Sequence, residues 1–538
     1  MSNLKDEAKK LKKLASNIAH KEIENIKDDH LFDIKQAKEL NVKDYKIDMG
    51  GDEILDDTEP DEPTASVMKN RSEVLQDLLN NVGPGMCLAK WYNVSMHLTH
   101  GWTHSCYHPK SHKIPLKELA NNPSALHNTE HKKKQRALML NQKRPKECEY
   151  CWAIEDQPGN QMSDRPYRTQ DVFTYNKFKE AISKNPLVTN FNPSYVEVNF
   201  NHACNLKCSY CSPHLSSSWM DEVEKFGGYK VVGYEHNSPD WLSDTSRLPL
   251  SGRVEENPYL KAFWDWWPEM YKTLNMFRMT GGEPLIDLNT FKVLDYVYKN
   301  PKSDLEIGIT TNLVPPKKMW KRFIEKTKLI TDNNCIEHFM LFVSVDATGK
   351  QAEYIRDGLD YELLVNNVDD YFANITDRHS ISFINSFNAL SLTTLKEYLQ
   401  WILDLREKYS TTRQLIWFDT PYLHDPKWQS IRVLTPDYQK YIVEAIKFMK
   451  DNLETKEKRF HGFKDYEVDR MERNLEWMKT SMKESDLNMH RANFYRFFAE
   501  HDRRRDTDFL KTFPEMEEFW NLCKSERNLQ KFSDYDII

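Results

Sequence analysis

Between about residues 190 and 436, short apolar runs alternate with amphipathic ones. Six runs have strand length and β-branched or aromatic content: SYVEVNF (194–200), LNMFRMT (274–280), DLEIGITT (304–311), HFMLFVSVD (338–346), SISFINSF (380–387) and QLIWFDT (414–420). Helical stretches such as LNTFKVLDYVYKN and LKEYLQWILDLREKY lie between most of them. Strands separated by helices predict a parallel sheet with helical crossovers. Six such units suit a partial, TIM-like (βα)6 barrel, whose chemistry is expected at the C-terminal ends of the strands. Residues 437–538 read as a charged, helical C-terminal extension without a catalytic motif.

Upstream, residues 4–42 carry Leu11, Leu14, Ile18, Ile23 and Ile26 at helical spacing. Gly50 to Pro63 holds seven acids and no base, the pattern of a solvated acidic linker. Residues 1–80 are thus expected to form a helix and a linker. Residues 81–170 form a small cysteine- and histidine-rich α+β module, which opens with a hairpin around Gly101.

Composition narrows the classes. Apolar residues make up 39% and aromatics 12%, enough for sizeable cores. The net charge of −7 argues against a surface that binds nucleic acid or anionic lipid throughout. No run approaches the roughly 18 apolar residues of a membrane span, and the charged N-terminus does not read as a secretory signal. A cytoplasmic location is expected. In a reducing compartment, clustered cysteines favour metal or catalysis over disulfides. Of nine cysteines, seven lie between Cys87 and Cys211.

The first strand runs into Cys204-x3-Cys208-x2-Cys211. Three thiolates on one loop suit three irons of a [4Fe–4S] cluster and leave the fourth iron open to a ligand. Zinc, with His202 or His214 as fourth ligand, is the rival reading. The second strand ends in Gly281-Gly282-Glu283-Pro284, in a chain with only 16 glycines. Glycine lets a backbone approach a ligand closely.

The cysteine loop with Tyr210 before its last cysteine, followed one strand later by this GGEP sequence, resembles the radical S-adenosylmethionine (SAM) enzymes. The resemblance implies a [4Fe–4S] cluster on Cys204, Cys208 and Cys211, and SAM chelating the open iron. It places Tyr210 near the adenine and Gly281, Gly282, Glu283 and Pro284 at the SAM amino group. It assigns further cofactor contacts to Thr311 and Asn312, to Ser344 and Asp346 near the ribose, to Arg356 at the methionine carboxylate, and to Asn388. Reductive cleavage of SAM would then give a 5′-deoxyadenosyl radical that abstracts hydrogen from a substrate. No catalytic side chain beyond the cofactor ligands is assigned.

Two departures qualify the resemblance. Residues 226–260 lengthen the first crossover and read as an insertion. Upstream, Cys87-x3-Trp91, Gly101-x4-Cys106 and Cys148-x2-Cys151, with Arg136, Pro145, Glu155, Gly159, Ser163 and Arg165, resemble a twitch or SPASM module, and four cysteines fit twitch. The resemblance implies an auxiliary [4Fe–4S] cluster; from spacing alone zinc stays open. Such modules commonly follow the barrel, and this one precedes it. The module points to a peptide or protein substrate, and the chemistry to an external electron donor. RNA or a small metabolite is the alternative substrate, and a non-enzymatic iron–sulfur or zinc protein the alternative class. The basic runs Lys132-Lys133-Lys134 and Arg503-Arg504-Arg505 read as solvated helix faces.

Overall fold

The structure is a computed structural model that describes residues 65–159, 161–238, 249–456, 459–480 and 482–529. The expected helix at 4–42 and the acidic stretch 50–63 lie outside them. Contacts divide the chain into two compact units. Among the described residues, one comprises 65–94 together with 103–195; the other comprises 95–102 together with those from 196 to 529.

The fold is mixed α/β. Nine strands form one mostly parallel sheet: β1 Asn93–His97, β2 Trp102–His104, β3 His112–Lys113, β4 Tyr195–Asn199, β5 Met276–Thr280, β6 Glu306–Thr311, β7 His338–Ser344, β8 His379–Ile384 and β9 Gln414–Asp419. Their order is β9-β8-β7-β6-β5-β4-β1-β2-β3. Strands β5 to β9 pair in parallel, each with the next. All six strands read from the apolar pattern are present. Parallel neighbours need long crossovers. These are supplied by α3 Leu288–Lys299, α4 Lys317–Asp332, α5 Tyr361–Asn374 and α6 Leu395–Tyr409. The first crossover holds α1 Ser217–Phe226 and α2 Pro258–Tyr271. The stretch read as an insertion carries a small antiparallel hairpin, with Tyr229–Val231 against Tyr234–His236, and its described part ends in the start of α2.

The pleat decides which side chains face where. In β7, Phe339, Leu341 and Val343 are fully buried, whereas Met340, Phe342 and Ser344 remain partly open. Asn257 and Asp287 cap α2 and α3 by accepting from backbone amides of the first turn, which fixes where these two helices start. The C-terminal region is helical, with α7 Gln439–Asp451, α8 Asp465–Lys479, α9 Glu484–Arg505 and α10 Glu517–Leu529. No helix among the described residues is long and apolar enough to cross a membrane.

The basic runs correct the expectation of solvated faces. Lys132 is buried, and its amine donates to Thr103 Oγ1 and the His104 carbonyl, both at 3.0 Å. Arg504 and Arg505 have side chains 2% and 1% exposed; Arg503, at 60%, faces solvent. Hydrogen bonds and ion pairs to partners far away in sequence draw these cations inward.

Candidate functional site

The first cysteine set lies in the unit that holds the residues from 196 to 529, on the loop after β4. Cys204, Cys208 and Cys211 are each half-buried, and burial holds each thiol above its ordinary pKa; neighbouring thiols add to this at Cys204 and Cys211, whereas the Arg356 guanidinium opposes it at Cys208. Cys204 and Cys211 are pushed up to about 12.

The GGEP strand end packs against this loop. Gly281 has φ +121°, and a Cβ there would lie 2.5 Å from Asn199 Oδ1. A Cβ on Gly282 would lie 2.2 Å from the Ala203 carbonyl oxygen, and one on Gly358 2.8 Å from that of Asn205. Three of the scarce glycines thus let backbone close on the cysteine loop. Because Ala203 meets Gly282 through backbone atoms, neither side can yield. Gly282→Ala is expected to lower unfolding free energy by about 3 kcal/mol, read from a urea titration; a stability within experimental error of wild type would show that the strand end can retreat from the loop.

Glu283 is buried, and both carboxylate oxygens accept from the protein: Oε1 from Thr311 Oγ1 (2.7 Å) and the Leu285 amide (2.8 Å), Oε2 from the Asn312 amide (2.6 Å). Glu283 therefore ties the β5 end to the β6 end. Pro284 opens the short turn that follows it. Asn312 Nδ2 donates to Asn205 Oδ1 at 2.9 Å, which carries the same bracket to the cysteine loop. Ser344 ends β7 half-buried. Asn388 is fully buried; its carboxamide donates to the Ser386 carbonyl and accepts from the Leu390 amide, so it holds its own loop.

Burial raises Glu283 to about 7 against the three donors, and raises Asp287 to about 6. Both folded values lie above the ordinary 4.5 and 3.8. The folded chain then holds protons that the unfolded chain has released. This stability is complete below the ordinary values and is lost as pH rises through about 6 and 7, up to about 3 kcal/mol for each group. Buried histidines such as His112, His236, His379 and His501, with lowered pKa values, push stability the other way over the same range, so the test is a difference: the urea midpoint of the apoprotein relative to that of Glu283→Gln should fall from pH 4 to 7.5. A wild-type midpoint that rises relative to this variant would oppose the assignment.

Asp346, Arg356 and Tyr210 form one hydrogen-bonded group beside Cys208. Arg356 Nε donates to Asp346 Oδ2 at 2.8 Å and Nη2 donates to the Tyr210 hydroxyl at 2.5 Å. Tyr210 Oη donates to Asp346 Oδ2 at 2.8 Å, and Arg356 Nη1 points at Cys208 Sγ, 3.5 Å away. The two-residue strand Arg356–Asp357 pairs antiparallel with Lys207–Cys208. A fixed cation beside a thiol favours its thiolate form. The sequence points to all three residues without showing that they bond to one another. It does not point to Gln429, whose carboxamide accepts from Ser209 Oγ (2.8 Å) and donates to the Ser209 carbonyl (3.0 Å).

The second cysteine set lies in the other unit. Cys87, Cys106, Cys148 and Cys151 line one small pocket with Lys90, His108, Trp152, Arg165 and Arg168. Burial, then the charge of the other three thiols, pushes Cys87 up to about 12; Cys151 rises to about 11, mainly through burial. Arg165 is buried and donates to Glu155 Oε1 (2.8 Å), the Met86 carbonyl (2.9 Å) and Asn80 Oδ1 (2.8 Å). Ser163 donates to the same Glu155 at 2.6 Å. Arg136 bonds elsewhere, to the Lys90 carbonyl and Asn128. Lys90 is buried and paired with Glu147. The histidines separate: His108 pairs with Asp164 at 2.7 Å and stacks on Tyr150, while His100 packs near His214 in the other unit.

Among the described residues, no group of three or more His, Cys, Asp or Glu is set to hold a single metal ion. A cubane asks for a different arrangement, because each thiolate binds a different iron and the sulfurs surround a cube. Both sets offer soft thiols with cations nearby, Arg356 beside Cys208 for one and Lys90, Arg165 and Arg168 around the shared pocket for the other. Raised thiol pKa values mean that any thiolate ligation here would release protons, and the nearby cations would offset the resulting negative charge. No protein-family model matches the chain, and no curated protein matches it either.

Proposed function

We propose that this chain is a radical SAM enzyme, with a partial (βα)6 barrel carrying a [4Fe–4S] cluster on Cys204, Cys208 and Cys211 and a twitch-like module carrying an auxiliary cluster on Cys87, Cys106, Cys148 and Cys151. The observation that supports it most is the closure of Gly281 and Gly282 on the loop of the first three cysteines, at the C-terminal end of a parallel strand. When bound, cluster and SAM supply one-electron cleavage of a carbon–sulfur bond and a 5′-deoxyadenosyl radical for hydrogen abstraction. The chain's own part is placement. Gly281 and Gly282 let backbone approach the amino acid end of SAM. Glu283, Thr311 and Asn312 fix that strand end. Asp346 orients Arg356 and Tyr210 beside Cys208.

The substrate we propose is a peptide or protein, on the strength of the auxiliary module, with an external electron donor in the cytoplasm. Four of the six residues in the two basic runs, Lys132, Lys133, Arg504 and Arg505, have buried side chains, which supports a peptide over RNA. Anaerobic reconstitution should load about eight irons per chain, four for each cubane, and reduction in the presence of SAM should release 5′-deoxyadenosine. Four irons with one zinc would sink the auxiliary-cluster assignment. A loaded chain that releases no 5′-deoxyadenosine would make this a non-enzymatic iron–sulfur protein.

A further inference from the structure

We propose that Arg505, in the last turn of α9, is a positioning residue for the catalytic cysteine loop, so that the C-terminal helical region is part of the functional machinery. The inference rests on the function proposed above and gives that region a role within it.

The loop is gripped on two sides. On one side, Lys207–Cys208 pairs with Arg356–Asp357, and Lys207 Nζ reaches Asp357 at 2.9 Å. On the other side stands Arg505. Its Nη1 donates to the Lys207 carbonyl at 2.9 Å, one residue before Cys208. Its Nε donates to Glu222 Oε2 at 3.0 Å, and its guanidinium carbon lies 4.8 Å from the centre of the Trp219 ring. Trp219 in turn donates from Nε1 to the Cys208 carbonyl at 2.9 Å. Arg505 thus fixes the two peptide units around Cys208, one directly and one through the indole it covers. A planar fork suits this role because it bridges a carbonyl and a carboxylate and stacks on an aromatic ring in one geometry, which an ammonium cannot reproduce.

The turn that presents Arg505 is itself anchored. Asp502 accepts from the Tyr354 hydroxyl and the Phe509 amide, each at 2.8 Å. Arg504 is as buried as Arg505 and comes no nearer Glu222 than 3.8 Å; its hydrogen bonds go to Glu500 Oε1 at 2.7 Å and to the Gly227 and Gly228 carbonyls at 2.9 and 2.8 Å, and none reaches the cysteine loop. Neighbouring arginines on one turn therefore separate a positioning role from general support.

The test uses the reconstituted full-length enzyme. Iron loss to a chelator is timed, and the reduced cluster's electron paramagnetic resonance spectrum is recorded with and without SAM. Outer residues that orient metal ligands typically change affinity 10–100-fold. Arg505→Gln should lose the SAM-responsive cluster roughly tenfold faster and show an altered spectrum with SAM. Arg504→Gln should lower the melting temperature while iron loss and spectrum stay near wild type. Arg505→Lys, which keeps the charge and loses the fork, should fall between Arg505→Gln and wild type, and it serves if Arg505→Gln does not fold. A loaded wild type whose Arg505 variants match Arg504→Gln in iron loss and spectrum overturns the inference alone. A wild type that holds no cluster on this loop overturns the proposed function and the inference with it.

Discussion

Replacing Cys208 with alanine should bring SAM cleavage to the background of a protein-free control, while the chain stays folded. The two effects separate because Cys208 contributes to the loop through its backbone and to the proposed cluster through its sulfur. Its carbonyl accepts from Trp219 Nε1 and from the Cys211 amide, both at 2.9 Å, and its backbone pairs with Arg356. Alanine preserves all three. The change removes Sγ and its contact with Arg356, at a stability cost of about 1 kcal/mol. One lost ligand leaves two thiolates for a cluster that needs three. Cys335→Ala is the matched control: Cys335 is buried just before β7, and its thiol contacts the Asn333 carbonyl. That variant should keep full 5′-deoxyadenosine output. Undiminished output from Cys208→Ala would refute the ligand role and, with it, the reading of the whole loop.

The sheet was legible because strand pattern is local. In β7 the run His338–Ser344 shows its two faces residue by residue, and the structure buries the faces accordingly. The cysteine loop and the GGEP turn were legible for the same reason, since spacing within a few residues carries them. What the sequence could not display were pairings across distance. Tyr210 and Asp346 bond across 136 positions, and Arg505 meets Glu222 across 283. Without that partner, Arg503-Arg504-Arg505 reads as a charged surface. Lys132 misled in the same way, because its acceptors Thr103 Oγ1 and the His104 carbonyl lie in a neighbouring strand. Glu283 shows another limit. Its position in the motif pointed to a ligand contact; what the motif did not display is that its two oxygens accept from Thr311, Leu285 and Asn312. The motif's acid holds the strand ends in place.

Asp346→Ala should destabilise the chain by about 3–5 kcal/mol, the usual result of removing one partner from a buried ion pair. Asp346 is fully buried and accepts from Arg356 Nε and Nη2, the Tyr210 hydroxyl and the Ser386 amide. Alanine leaves the Arg356 guanidinium charged in a site with side-chain exposure of only 6%. Against a total stability of roughly 5–15 kcal/mol, such a loss should be plain in urea titrations of the apoprotein. Asp346→Asn retains the shape but turns an amide N–H toward donors, so it should lie between alanine and wild type. Asp346→Ala with Arg356→Met removes both charges and should recover part of the loss; the thermodynamic cycle then isolates the pair from the Tyr210 and Ser386 bonds. A loss under about 1 kcal/mol would place the pair among exposed ones. The consequence for the site follows from the same geometry. Arg356 reaches both Tyr210 and Cys208 while Asp346 holds its Nε edge, so a guanidinium freed from Asp346 would no longer be aimed at the thiol. Iron content of Asp346→Ala should therefore fall even at temperatures where the variant is fully folded.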